Sequence, residues 1–296
     1  MEIPANLRWL RERDDGREWL EGLGARVDEM ADRWQLDLGP VFPGAYVSYT
    51  CPATTAGGEA VVLKVQYPHD DCRTEAAALA AWDGNGAVRL LDHDPDRWAL
   101  LLERGVPGRL LAETQGDPEV TLEAMAVLHE QTWVAPPEGH PFALLRDHAA
   151  RWCLDMEERW AGGNRLFPRE WIDLGIACLR EVADGQGEQV IVNQDLHAEN
   201  VISATRQPWL VIDPKPLVGE RELSLAALAR SFGWVRIPPD PAWWLRRACD
   251  RLDVDHRRAL RWAIGQSVCW GMETPASVEH QRWTLGHLIA DLRAGG

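Results

Sequence analysis

The chain has 296 residues, 46% of them hydrophobic and 26% charged, the make-up of a globular protein with a core and the length of about two ordinary domains. With 31 basic and 46 acidic residues the formal net charge is −15. That balance argues against a nucleic-acid partner, which demands many cationic contacts to phosphate, and against an anionic membrane surface; it suits a small cationic molecule.

The first residues, MEIPANLRWLRERDDGREWL, carry no signal-peptide core, and no apolar run approaches the ~18–20 residues of a membrane span. Apolar residues at helical spacing (Leu7, Leu10, Trp19, Leu20, Leu23, Val27, Met30) predict a helix over 5–31. Residues 39–58 are rich in Gly, Pro, Thr and Tyr, and YVSYT within them reads as a strand. The Gly57-Gly58 turn signal leads into AVVLKV, a strand with at least one buried face. DDCRTEAAALAAW (70–82) opens with acids and continues with alanines, which is helix chemistry. AVRLLDHD and RWALLLER add two short strands. The order helix, strand, strand, helix, strand, strand describes a small antiparallel sheet carrying one prominent helix.

After ERGVPG (103–108) the character turns helical, with predicted helices near 109–133, 142–161, 168–183, 222–235, 241–251, 255–271 and 276–293. Between the third and fourth lies an irregular stretch, 188–219, holding the short apolar runs QVIV and PWLVID. The expected division is an N-terminal lobe (1–103), a hinge (104–108) and a helical C-terminal lobe (109–296). Six scattered cysteines, none at C-x-x-C spacing, read as reduced thiols of a cytoplasmic protein. Most of the 16 tryptophans are expected in the core, one or two lining a ligand site. Of the 31 basic residues only Lys64 and Lys215 are lysine, which points to both as places where a guanidinium does not serve.

The stretch VIVNQDLHAENVISATRQPWLVIDPKPLVG (190–219) carries Asp195, then Asn200, then Asp213, each just outside an apolar run. A phosphoryl-transfer site needs this inventory: one carboxylate to accept the proton of the attacking hydroxyl, and an amide and a second carboxylate as oxygen ligands for Mg²⁺. D-x-x-x-x-N matches the catalytic loop of kinases, and Asp213 in IDPKP stands where kinases place their metal-binding Asp. Lys64 in VVLKV matches the strand lysine that holds the α/β-phosphates, and Glu75, eleven residues on in the alanine-rich helix, is its natural ion-pair partner. His197 is read as packing against the loop backbone rather than as a base. Glu199 faces either substrate or solvent. Asp155, Glu157, Glu158, Glu273 and Glu279 are read as solvated acids.

VRLLDHDPDRWALLLERG (88–105), QDLHAEN (194–200) and QPWLVIDPKPLVG (207–219) resemble the bacterial aminoglycoside O-phosphotransferases, in particular the streptomycin 6-phosphotransferase and hydroxyurea phosphotransferase group, over nearly the whole chain from about Trp19. The resemblance implies a two-lobe, protein-kinase-like α+β fold with a small antiparallel sheet in the N-lobe and a mainly helical C-lobe. It implies transfer of the γ-phosphate of ATP or GTP, with Mg²⁺, to a hydroxyl of a cationic aminoglycoside such as streptomycin. Asp195 would be the base, Asn200 and Asp213 the magnesium ligands, and Lys64 with Glu75 the phosphate clamp. The backbone of Glu103 to Gly105 would meet the adenine. A kinase of another small metabolite, a sugar or amino alcohol, is the alternative on the same fold; a nucleotide-binding pseudoenzyme is less favoured. No nucleic acid or membrane partner is expected, and the chain reads as a monomer or weak dimer.

The chain departs from the family pattern at four places. Asn193 stands where a histidine is usual, and Ser224 where an aspartate often supports the loop backbone. The phosphate-covering loop Phe42–Ser48 has one glycine, leaving Ser48 as its candidate contact. Lys215 follows the metal Asp, either to contact the phosphates or to sit at the surface.

Overall fold

Arg13 splits the N-terminal apolar pattern in two. In the computed structural model, which describes residues 2–114, 117–231, 240–272 and 278–295, a 3₁₀ stretch (Ala5–Glu12) meets helix α1 (Asp14–Trp34) at an extended Arg13, φ −110°, ψ 143°. Asp14 and Asp15 occupy the first turn of α1, where the helix dipole favours carboxylates. Gln35 ends it in the left-handed region, φ 51°.

A five-stranded antiparallel sheet follows: β1 (Leu36–Leu38), β2 (Ser48–Thr55), β3 (Ala60–Gln66), β4 (Leu90–Asp94) and β5 (Ala99–Glu103), in the order β1-β2-β3-β5-β4. Alternation along the strands sends Tyr49, Cys51, Leu63 and Val65 to one face, where Trp19, Leu20, Leu23, Val27 and Met30 of α1 bury them. Each large side chain buried in this way contributes roughly 1.5–3 kcal/mol. The opposite face carries Ser48, Thr50, Lys64 and Gln66, with Thr50 opposite Lys64 and Ser48 opposite Gln66. Helix α2 (Glu75–Trp82) lies over that face and aims Glu75 at it.

The helical part holds α3 (Pro118–Thr132), α4 (Leu145–Ala161), α5 (Arg169–Ala183), α6 (Ala226–Ser231), α7 (Pro241–Leu252), α8 (His256–Gly271) and α9 (Val278–Ala294). Asp117 caps α3 and Asp240 caps α7, each before a proline whose missing N–H is harmless at a helix start. Alpha 8 is the buried axis, with every residue from Trp262 to Cys269 buried. Among the described residues no helix is long and apolar enough to cross a membrane.

The structure corrects the sequence reading at several points. The helix expected near 109–133 starts at Pro118; before it run β6 (Pro107–Leu110) and a 3₁₀ turn. The irregular stretch contains four strands, β7 (Val190–Asn193), β8 (Val201–Ala204), β9 (Trp209–Val211) and β10 (Pro216–Gly219). Beta 10 pairs with β7, and β6 joins β8 and β9 in a second small sheet. The helix expected at 222–235 is a 3₁₀ stretch (Arg221–Leu225) leading into α6, and positions 232–235 lie outside the described residues, as does Glu273. Apolar contact also crosses the proposed lobe boundary, beside a separate N-terminal cluster under α1. Ala78, Leu79 and Trp82 of α2 belong to the same buried cluster as the helices, and Trp82 Nε1 donates to Thr132 O at 2.8 Å.

Candidate active site

Two nested hairpins set the site. Antiparallel β7 and β10 place Asn193 opposite Pro216, and inside them β8 and β9 place Val201 opposite Val211. The loop 194–200 therefore faces the loop 212–215. Gln194 N donates to Lys215 O at 3.1 Å and Ile212 N to Asn200 O at 2.9 Å. Buried Asn193 ties the two loops: its Oδ1 accepts from Asp195 N at 3.1 Å and from Lys215 N at 3.0 Å.

Asp195 projects from this loop with its side chain 14% exposed, and Lys215 Nζ lies 2.8 Å from its Oδ2. Arg230 Nη2 and His197 Nε2 each lie 3.6 Å from Oδ1. Burial pushes the Asp195 carboxyl up, but the charges of Lys215, His197 and Arg230 outweigh it and hold it below the usual carboxylate range. Asp195 is thus a weak base of fixed orientation, suited to gripping a hydroxyl and taking its proton late. Arg230 is buried, donates to Gln194 O at 3.3 Å and lies 4.1 Å from the centre of the Trp270 ring. Burial lowers its guanidinium to about 10, against the pull of Asp195.

Across the cleft, Lys64 reaches two carboxylates. Its Nζ is 2.8 and 2.7 Å from the Glu75 oxygens and 2.6 Å from Asp213 Oδ1. Gln66, on the same face of β3, donates to Glu75 Oε2 at 2.6 Å. Burial opposes the Lys64 charge, but Asp213 and Glu75 hold it protonated. Burial also pushes Glu75 up to about 7, against the attraction of Lys64. Asp213 lies in the left-handed region, φ 52°, an uncommon place for a non-glycine residue and one that aims the carboxylate across at β3.

Asn200 Nδ2 donates to Asp195 O at 3.1 Å and contacts His197 Nε2 at 3.2 Å. Those bonds engage its Nδ2 and leave the amide oxygen as the group for a metal. An amide oxygen and the Asp213 carboxylate form a hard donor pair that fits Mg²⁺, which takes the rest of its octahedron from phosphate and water oxygens. Among the described residues no three His, Cys, Asp or Glu side chains converge on one metal position, so these two residues suit a cation shared with a phosphate chain rather than an all-protein cage.

Ser48 sits on the cleft face of β2, buried, with its hydroxyl 2.9 Å from that of Thr50. Glu103 ends β5, and its side chain is held by Arg206, whose Nε and Nη2 donate to it at 2.8 Å each. Arg206 also donates to Gly84 O at 2.6 Å and Ala87 O at 3.0 Å. Gly105 lies against the β8 strand, where a Cβ would come within 2.5 Å of Ile202 Cδ1. Beside it, a cavity of about 410 Å³ is lined by Gly39 to Phe42, Pro52 to Thr54 and Arg104. That cavity touches none of Lys64, Asp195 and Asp213, so it is not the place of the chemistry.

Lys64, Glu75, Asp195, Asn200, Asp213 and Lys215 thus meet in one cluster, and Ser48 and the hinge pair lie outside it. Lys215 is no surface lysine. Ser224 does not support the loop: its Oγ accepts from Trp133 Nε1 at 3.0 Å, and Asn193 and Arg230 hold the loop instead. His197 bonds the Asn200 side chain, and burial keeps its imidazole below its ordinary value. Sequence reasoning missed Gln66, Arg206, Arg230 and Trp270. Gln66 was findable, being two residues from Lys64 and so on the same strand face.

Residues 33–275 match the family described as aminoglycoside/hydroxyurea antibiotic resistance kinase. The chain is 33% identical to a streptomycin 6-kinase of Streptomyces griseus, over 88% of this chain and 86% of that protein. It is 35% identical to a hydroxyurea phosphotransferase of Kitasatospora aureofaciens, over 92% of this chain and 81% of that protein. Among solved structures it shares its fold with the aminoglycoside phosphotransferase APH(4)-Ia, TM-score 0.65 at 15% identity, over 92% of this chain and 99% of that one. It shares it also with the choline kinase LicA of Streptococcus pneumoniae, TM-score 0.63 at 13% identity, over 92% and 99%. The fold is protein-kinase-like, and by sequence the chain belongs to the aminoglycoside/hydroxyurea antibiotic resistance kinase family.

Proposed function

We propose that the chain transfers the γ-phosphate of ATP, or GTP, to a hydroxyl of a cationic aminoglycoside of the streptomycin type. The observation that carries this reading is the meeting of Lys64 with both Glu75 and Asp213, at 2.6–2.8 Å, beside a loop that presents Asp195. Lys64 clamps the α/β-phosphates, and Glu75 keeps its ammonium aimed at the cleft. The adenine stacks near the 410 Å³ cavity, against the backbone of Glu103 to Gly105, and Ser48 lies under the phosphate-covering loop. Mg²⁺ held by Asn200 and Asp213 supplies charge neutralisation to the phosphate oxygens. Asp195 grips the acceptor hydroxyl, aligns it with the phosphorus and takes its proton as the new bond forms. Catalysis on this reading is positioning plus electrostatics.

The lobes are residues 1–103 and 109–296, with the hinge at 104–108. The net charge of −15 favours a cationic acceptor, and we place the enzyme in the cytoplasm as a monomer or weak dimer. The similar identity to a hydroxyurea phosphotransferase, 35% against 33% for a streptomycin kinase, supports a second reading, an acceptor that is a smaller hydroxylated molecule.

The purified chain, given ATP, Mg²⁺ and streptomycin, is expected to yield streptomycin carrying one added phosphate by mass spectrometry. A product from hydroxyurea or another small alcohol, with none from any aminoglycoside, moves the conclusion to the second reading. No ADP formation with any acceptor tried sinks both.

A further inference from the structure

The chain retains only Lys64 and Lys215 among its 31 basic residues, and both contact a cleft aspartate. Lys64 is on Asp213 and Lys215 is on Asp195, at 2.6 and 2.8 Å. Two cations flank Asp195, but they are not alike. The Arg230 side chain is 7% exposed and that of Lys215 is 30% exposed, so Lys215 is the one a ligand can reach. Its ammonium lies 5.5 Å from the centre of the Trp270 ring, which limits where it can swing. It follows Asp213 by two residues, and its charge is felt at that carboxylate too. Lys215 therefore holds the proposed base and stands near the proposed metal-binding carboxylate.

We propose that Lys215 is a catalytic cation of the transfer step, contacting the migrating phosphoryl group while it keeps Asp195 aligned on the acceptor hydroxyl. This rests on the kinase reading above. The acceptor oxygen forms a bond to the γ-phosphorus, and the bond from that phosphorus to the β–γ bridging oxygen breaks. The electron pair of the broken bond leaves with the nucleoside diphosphate, and the hydroxyl proton passes to Asp195. Lys215 forms no covalent bond and gives up no proton; it offsets negative charge on the phosphoryl oxygens. A compact ammonium has three donors and can hold Asp195 with one while offering another to phosphate. A planar guanidinium fork docked on the carboxylate presents its donors in one plane, which fits the survival of a lysine here.

The test compares wild type, Lys215→Met, Lys215→Arg, Asp195→Asn and the double variant Asp195→Asn/Lys215→Met in the full chain. Single-turnover transfer from labelled ATP is followed to acceptor and to water, and ADP affinity and thermal melting report on folding. Lys215→Met is expected to lower the transfer rate about 10²–10³-fold, the usual range for a lost charge-stabilising donor, with ADP affinity held within about threefold. Lys215→Arg is expected to recover only part of the loss. The double variant is expected to hydrolyse ATP more slowly than Asp195→Asn alone, because a contact to the phosphoryl oxygens acts whether or not the base is present. Equal rates for Asp195→Asn and the double variant would mean that Lys215 acts only through Asp195, and the phosphoryl contact falls. A Lys215→Met enzyme as fast as wild type overturns the proposal while leaving the kinase reading intact. A wild-type chain that transfers to no acceptor and hydrolyses no ATP overturns both.

Discussion

Lys64 Nζ lies 2.6 Å from Asp213 Oδ1, a residue 149 positions further along the chain. One ammonium thereby links the five-stranded sheet to the nested hairpins, with Glu75 as its second anchor. A buried ion cluster of this kind is sensitive to the loss of a single member, because the partners remain as uncompensated charge. Lys64→Met is expected to destabilise the fold by roughly 3 kcal/mol and to cut kcat/KM about 10²–10³-fold. The loss of stability is softened at Glu75, whose carboxyl already rises to about 7 and takes up a proton in place of its lost cation. Urea unfolding and steady-state kinetics on the same preparation check both parts. A variant with wild-type kcat/KM removes Lys64 from the phosphate clamp.

Asp195 is expected to matter to turnover and not to nucleotide binding. The conservative change Asp195→Asn keeps the shape but removes the charge that Lys215 and Arg230 flank. Turnover is expected to fall about 10²–10⁴-fold, the range for a missing general base, with ADP affinity changed by no more than a few-fold. Turnover that is unchanged, measured with a coupled ADP assay, takes the base role away from Asp195.

Asn193 shows how the chain manages without the family's usual histidine. One side-chain oxygen satisfies two backbone donors, Asp195 N and Lys215 N, on the two facing loops. Asn193→Ala orphans both, at about 1–3 kcal/mol for each buried donor left unpaired, and frees Asp195 to wander. Asn193→Asp retains the acceptor. Alanine is therefore expected to lower kcat by about tenfold or more, in line with the steep dependence of transfer on alignment, with aspartate recovering much of it. Equal kcat for the alanine variant and wild type would show that the loop needs no such tie.

The contrast between what the sequence revealed and what it hid has a physical basis. Lys64, Glu75, Asp195, Asn200 and Asp213 were legible because the chemistry fixes both residue type and spacing, and the last three each sit just outside an apolar run. The helices were legible from periodicity, apart from their ends. Strand β1 is three residues long and β7 to β10 are three or four each, too short for alternation to register. Arg206 and Arg230 were invisible because their partners are 103 and 35 residues away, at Glu103 and Asp195, and nothing in the local pattern tells a clamping arginine from the other 28. Trp270 was hidden among 16 tryptophans for the same reason.

Arg206 is the strongest of these hidden contacts. From the β8–β9 turn it grips both oxygens of Glu103 and the carbonyls of Gly84 and Ala87. It thus fixes the end of β5, where the proposed hinge begins, to the hairpin that carries Asn200 and Asp213. Burial opposes the Glu103 charge, but the guanidinium and the Arg89 backbone N–H hold that carboxyl below its ordinary value. Arg206→Ala is expected to cost about 2–3 kcal/mol, as for hydrogen bonds to charged groups, and to raise KM for the nucleotide more than it lowers kcat. Arg206→Lys, unable to reproduce the fork, is expected to recover less than half of the lost stability. A KM equal to wild type would separate the clamp from nucleotide binding.

His129 gives the fold a pH dependence independent of the active site. It is fully buried in α3, both ring nitrogens lack a hydrogen-bond partner, and the ring rests 5.4 Å from that of Trp133. Burial lowers it from the ordinary 6.5 to about 3. Between those values the unfolded chain binds a proton that the folded chain does not, so stability rises with pH across that window. The contribution is complete above pH 6.5 and is lost as the solution is acidified toward 3, at about 1.4 kcal/mol for each pH unit. His129→Leu keeps the volume and removes the titration. Its urea midpoint is expected to fall less than that of wild type between pH 7 and pH 5. Parallel falls for the two proteins would mean that the imidazole is already protonated in the folded chain, and that the pocket around Trp133 admits water.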